Sequence, residues 1–303
     1  MNKFLLGPWL VVTAALLWAV DAPFRKFLTE DLSSTTIVLM EHILIAVLVL
    51  PLLLPRLKEL KNLNLREWLA VIFIGFGGSA LATVFFTQSF RYVSPTVAIL
   101  LQKLQPLIAI SLAALVLKET LSKRFWVWTV VALFGAYLVT FPDLRVSGLT
   151  LGGGTLGIVF ALLAAFLWGG STVFGRYVLQ RVSFQVMTGL RFLSALLFLF
   201  VINLFNGDLG AVSTASGKDW LYVFIIAVLA GFVSLLIYYR GLQTTKASVA
   251  TLCELAFPLS AVIVNWIFLD ASLQLGQIVG GLVLLYAITR LSIVNAETDP
   301  VTV

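Results

Sequence analysis

Six ionisable side chains, Asp21, Glu41, His42, Lys103, Arg191 and Glu254, sit inside apolar runs long enough to be membrane segments. At bilayer depth each costs roughly 2.5–3.5 kcal/mol on insertion scales, so each must face protein or water and find a partner. The chemistry open to them is ion pairing, proton uptake and contact with a polar solute. Glu41 and Glu254 are the candidate proton carriers, and His42, the single histidine, is the candidate pH-sensitive group. With about 1.5 Å of rise per residue, Glu41 lies roughly 12 Å and Lys103 roughly 16 Å from one boundary of the membrane. Arg191 and Glu254 lie roughly 12 Å and 10 Å from the opposite boundary by the same rise. Matched depth predicts the pairs Glu41 with Lys103 and Arg191 with Glu254. On the sequence alone such pairs are either structural locks or groups that handle solute and protons.

The elements that must carry these residues are helices. Hydrophobic residues fill 60% of the 303 positions and charged residues 11%, with a mean hydropathy of +1.05; soluble domains carry about a quarter charged residues. Segments near 8–28, 33–55, 68–90, 92–117, 124–141, 155–178, 183–205, 219–240, 247–269 and 273–292 are apolar and close to the roughly 20 residues a spanning helix needs. The expectation is an all-α membrane protein of ten transmembrane helices. Pro142 gives the fifth a stop. Asp21 and Pro23 allow two readings of the first: a broken helix whose freed carbonyls meet solute, or a plain end near residue 20 with Arg25 and Lys26 already at the interface. Cys253 is alone, which excludes an intramolecular disulfide.

The chain says nearly the same thing twice. Leu17-Trp18 with Phe24 and Lys26 recurs 150 residues on as Leu167-Trp168 with Phe174 and Arg176. Glu67-Trp68 recurs as Asp219-Trp220, and Gln102-x-x-x-Pro106 as Glu254-x-x-x-Pro258, both 152 residues on. This divides the chain into five-helix repeats, 1–145 and 146–303, joined by a Gly-rich stretch from Pro142 to Gly154. Five is odd, so the second copy enters the membrane from the opposite side and the repeats are inverted. Basic residues gather in alternate loops, among them Arg56, Lys58, Lys61, Arg66, Lys118, Lys123, Arg124, Arg240 and Lys246, with few in the others. That bias places both termini in the cytoplasm. It also accounts for the net charge of +6, which is spread over loops rather than gathered in a basic domain and so argues against a nucleic-acid partner.

Residues matched across the repeat are candidates for lining a central site: Trp18 and Trp168, Gln102 beside Lys103, Glu254, and Tyr238 among the aromatics. Pro106 and Pro258 should kink equivalent helices and are candidate hinges. Small-residue steps such as Gly75-x-x-x-Ser79 permit close helix contact, and Gly276-x-x-x-Gly280 offers a homodimer face, so monomer and homodimer both stay open. The turns Leu17-Trp18-Ala19 and Leu167-Trp168-Gly169, the run Arg191-Phe192-Leu193-Ser194-Ala195, and Glu254 to Pro258, in that order, resemble the EamA family of the drug/metabolite transporter superfamily along nearly the whole chain. The resemblance implies a central cavity lined by the first four helices of each half, with the fifth packed outside. It also implies a carrier of small molecules in the bacterial inner membrane, most often an exporter of metabolites with amino acids prominent among them. The first half has Glu41-His42 where the second has Arg191, so a role for a basic residue there does not carry over.

There is no His-Glu-x-x-His, no Gly-x-Ser-x-Gly and no phosphate-binding Gly-x-x-x-x-Gly-Lys-Ser/Thr stretch. One histidine and one cysteine cannot assemble an ordinary metal site. Neither catalysis nor a cofactor is expected, and without a nucleotide loop transport should be secondary, by alternating access. A passive channel or facilitator and a carrier of lipophilic drugs are the alternatives. Unpaired charges of both signs in the cavity would suit a zwitterion. If the charges pair among themselves, the cavity is aromatic and near neutral, and suits apolar amino acids or lipophilic compounds.

Overall fold

The computed structural model describes residues 3–93, 95–141, 154–260 and 274–298. These are helical throughout, with no strand among the described residues. The first half contains α1 (Lys3–Trp18), α2 (Asp21–Asp31), α3 (Ser34–Asn62), α4 (Leu65–Ser89), α5 (Pro95–Gln102), α6 (Gln105–Val116) and α7 (Lys123–Thr140). The second contains α8 (Thr155–Val178), α9 (Phe184–Asn206), the short α10 (Leu209–Thr214), α11 (Gly217–Leu242), α12 (Ala247–Ser260) and α13 (Leu275–Thr298). Six helices are long and apolar enough to cross a membrane, or seven if the bent pair α1–α2 is one span. The remaining expected spans are shorter or interrupted here, and the joint at 142–153 and the stretch 261–273 lie outside the described residues.

Local sequence explains the boundaries. Asn64 and Glu67 form a capping box at the start of α4, and Ser216 and Asp219 form another at the start of α11, 152 residues later. Gly207, at φ 74°, takes the left-handed turn that ends α9. In α4 and α11 the ladder loosens to a π-helical stretch at equivalent places, Phe73–Leu81 and Ile226–Val233. The fourth helix of each half breaks just before its proline: α5 ends at Gln102 and α6 restarts at Gln105, while Glu254–Ala256 tightens into a 3-10 turn before Pro258. The spacing has a cause, since a proline removes the N–H that would bond the carbonyl four residues back, which belongs to Gln102 or Glu254.

The packing repeats with the halves exchanged. Helix α1 lies along α11 as α8 lies along α4; α6 packs on α8 as α12 packs on α1; α3 pairs with α9, and α7 with α13. Carboxylates of one half cap helices of the other. Glu59 accepts from Ser183 N at 2.6 Å and Ser183 Oγ at 3.0 Å, and Glu119 from Ala247 N at 2.8 Å and Ser248 N at 3.2 Å. Asp208 in turn accepts from Ser33 Oγ at 2.9 Å. Such N-terminal anions meet the positive end of the helix dipole. At the α7–α13 crossing, a Cβ on Gly280 would stand 2.7 Å from Val139 N, so this glycine serves an internal contact. The expectation of a homodimer face is corrected to that extent. Large apolar side chains such as Leu65, Phe205 and Leu275 point outward, as a lipid-facing surface requires.

A central aromatic cavity as the candidate functional site

Between the halves lies a cavity that encloses, with its mouth, about 930 Å³. Its aromatic walls obey the repeat. Trp18 on α1 meets Tyr238 on α11 with ring centroids 5.4 Å apart, and Trp168 on α8 meets Phe86 on α4 at 5.1 Å. Trp18 Nε1 also donates to Ser234 Oγ at 2.9 Å. Phe85, next to Phe86 in the chain, instead stacks on Phe160 at 5.6 Å.

The charges pair differently from the sequence expectation. Glu41 does not meet Lys103; its carboxylate accepts from Arg25 Nη2 at 3.0 Å. Arg25 Nε contacts both carboxylate oxygens of Asp21, at 2.9 and 2.8 Å, and Nη1 donates to Thr87 Oγ1 at 3.1 Å. Arg25 is 1% exposed. The cause is the break at Ala19-Val20: α1 and α2 meet at 41°, which turns Arg25 inward instead of leaving it at an interface. The broken-helix reading of Asp21 and Pro23 is the one the structure adopts.

Arg191 likewise does not pair with Glu254. Its Nε donates to Ser79 Oγ at 2.8 Å, Nη1 to Tyr239 Oη at 2.9 Å and Nη2 to Gly78 O at 3.1 Å. Glu254 accepts from Gln105 Nε2 at 2.6 Å, Tyr238 Oη at 2.8 Å and Thr172 Oγ1 at 3.4 Å, so three neutral donors from both halves share one carboxylate. Lys103 does not line the main cavity. It reaches a narrower chamber behind Gln102, where its Nζ sits 4.6 Å over the Phe257 ring.

His42 Nδ1 lies 2.8 Å from Val38 O; because a carbonyl only accepts, the ring proton is on Nδ1, and Nε2 is left to the cavity. Nε2 has no partner, and neither do Gln102 Oε1, Ser171 Oγ and Thr251 Oγ1. These four are the buried side-chain polar atoms left unsatisfied among the described residues, and every one belongs to a residue lining one of the two chambers. Buried polar atoms are normally paired, so their concentration here is the mark of a place meant for something else.

Of the residues singled out from sequence, Trp18, Asp21, Glu41, His42, Gln102, Trp168, Arg191, Tyr238 and Glu254 line one cavity. Pro106 lines the narrow chamber, and Pro258 follows the break beside it. Sequence reasoning missed Arg25, Gln105, Ser171 and Thr172. Arg25 carried a signal, its position four residues after Asp21, where helical side chains meet.

Residues 5–141 and 155–293 each match the EamA-like transporter family. The chain belongs to that family. Its two EamA units coincide with the two halves of the cavity, and with it the chain is a multi-pass membrane transporter of the drug/metabolite type rather than an enzyme. This EamA transporter is 33% identical over 305 residues to the riboflavin transporter ImpX of Fusobacterium nucleatum, across 97% of this chain and 100% of that one. It is 22% identical to the uncharacterized transporter sll1164 of Synechocystis, across 80% of this chain and 70% of the relative. A solved crystal structure with 15% identity superposes with a TM-score of 0.75, covering 97% of this chain and 99% of that chain, which shows a shared fold.

Proposed function

We propose that the protein is a secondary carrier of riboflavin, or of a compound built on the same flat ring, working by alternating access in a bacterial cytoplasmic membrane. On this reading ten helices form two inverted five-helix repeats with both termini cytoplasmic, and the prolines at 106 and 258 mark where the fourth helix of each half flexes. The observation that carries it is the coincidence of aromatic walls with unsatisfied polar atoms. Trp18–Tyr238 and Trp168–Phe86 offer faces to a planar ring, while His42 Nε2 and Ser171 Oγ await hydrogen-bonding groups on its edge. The full-length kinship to a riboflavin transporter supports the choice of ring. An amino-acid zwitterion would need a cation and an anion with open hydrogen-bonding positions, whereas Arg25 is held by Asp21 and Glu41, Arg191 donates to three protein oxygens and Glu254 accepts from three donors.

The test is flavin fluorescence titrated with purified protein, followed by flux in proteoliposomes. Quenching on binding, saturable uptake and counterflow are expected, with amino acids failing to compete. Linear flux without counterflow would make the protein a channel, and competition by amino acids would return the reading to metabolite export.

A further inference from the structure

The narrow chamber behind Gln102 shares Trp18, Gln105, Glu254 and Phe257 with the main cavity, so the two spaces adjoin. Its chemistry differs from that of the aromatic room. Thr251 Oγ1 is unpartnered on a residue with no exposed surface, and Gln102 Oε1 is unpartnered beside it in the wall. Lys103 and Glu254 bring opposite charges to the same space. An anionic group entering it would meet the Glu254 carboxylate, and a cationic group would meet the Lys103 ammonium. An apolar group would leave Thr251 Oγ1 and Gln102 Oε1 buried and unpaired, which is costly. A hydroxyl both donates and accepts, so it suits a space bounded by a lysine, a carboxylate, an amide oxygen and a threonine, and the chamber has room for about one such group.

We infer that the narrow chamber is the inner end of a polyol subsite, taking a hydroxyl from the hydroxylated chain of a substrate whose ring lies in the aromatic cavity, with Thr251 and Gln102 as the residues that read it. The inference rests on the riboflavin reading and extends it from the ring to the ribityl tail.

Riboflavin and lumiflavin share the ring, but lumiflavin carries a methyl group in place of the polyol, so the pair separates the two claims. Titrations followed by flavin fluorescence should give riboflavin about tenfold or more tighter binding than lumiflavin, the equivalent of one or two net hydrogen bonds. Thr251→Val keeps the side-chain shape and removes the hydroxyl. It should weaken riboflavin about five- to tenfold and leave lumiflavin where it was. Thermal unfolding without ligand checks that the variant folds, and Lys103→Met, whose stem still covers Phe257, repeats the comparison from the opposite wall if it does not. Equal affinity of the wild-type protein for both flavins, or equal weakening of both by the variants, overturns the polyol subsite and leaves the ring reading standing. Binding of neither flavin to the wild-type protein overturns the ring reading, and the subsite with it.

Discussion

The corner of the cavity built by the first half and the corner built by the second occupy equivalent places and use opposite electrostatics. Asp21, Arg25, Glu41 and Thr87 correspond across the repeat to Ser171, Gly175, Arg191 and Tyr239. In the first corner a guanidinium from α2 is clasped by two carboxylates and a threonine hydroxyl. In the second, the guanidinium comes from α9, and its bonds go to a serine, a tyrosine and a backbone carbonyl, all neutral. With no side chain at Gly175, the Tyr239 ring closes to 3.0 Å from where a Cβ would stand, in the place of the Arg25–Thr87 contact. The repeat therefore conserves which helices touch and where a guanidinium is needed, while the helix that supplies it changes. Two carboxylates against one cation leave the first corner formally negative, and Arg191 leaves the second positive, so the symmetric frame encloses an asymmetric field.

The comparison breaks most readily at Arg25. Arg25→Met strands Asp21 and Glu41 together in the interior and should cost about 3–5 kcal/mol, read as a fall in thermal unfolding temperature in detergent. Adding Asp21→Asn and Glu41→Gln should recover much of that loss, and a recovery that fails to come would show that the clasp is not what the arginine supports. Arg191→Met removes bonds to neutral oxygens and should cost less, about 1–3 kcal/mol; an equal or larger loss than at Arg25 would refute the ionic-versus-neutral contrast.

A smaller change makes the two fourth helices alike. Glu254→Gln gives the second half the residue that Gln102 gives the first, and exchanges charge-assisted bonds for neutral ones at about 1 kcal/mol, measurable by the same unfolding assay. No change in stability would mean that the three donors around Glu254 do not depend on its charge. Least of all should separate the tryptophans. Trp18→Phe loses the bond to Ser234, about 1 kcal/mol, whereas Trp168→Phe keeps its ring contact with Phe86 and should fall within half of that. Equal losses would place the difference between the halves elsewhere.

The frame was legible because its signals are local. The recurrence of Glu67-Trp68 as Asp219-Trp220, the Gln/Glu-x-x-x-Pro spacing and the two tryptophans survive in order, and the structure uses each of them, the two acids as partners in capping boxes. Nine of the ten residues proposed for the site do line one cavity, since depth along a helix can be counted. The ion pairs were not legible, because counting rise gives a height and says nothing about the direction in which a side chain points. Glu41 and Lys103 share a depth and face different chambers. Arg25 stayed undecided because Asp21 and Pro23 fit a plain helix end near residue 20, which puts Arg25 at the interface, as well as a break; the 41° bend at Ala19-Val20, four residues before Pro23, decides for the break.

The loosened turns at Phe73–Leu81 and Ile226–Val233 give the site a dependence on chain length rather than on side-chain identity. A π turn accommodates an additional residue, and one residue of helix is about 100° of rotation. Phe86 with Thr87, and Tyr238 with Tyr239, each begin five residues beyond the end of their stretch and so take their heading from it. Deleting a single residue other than Ser79, Ala230 and Gly231 from either stretch would let it rewind as an ordinary helix and swing both side chains off the cavity without removing any residue that touches it. The two stretches act as phase shifters, and their matched placement keeps the aromatic walls facing one another.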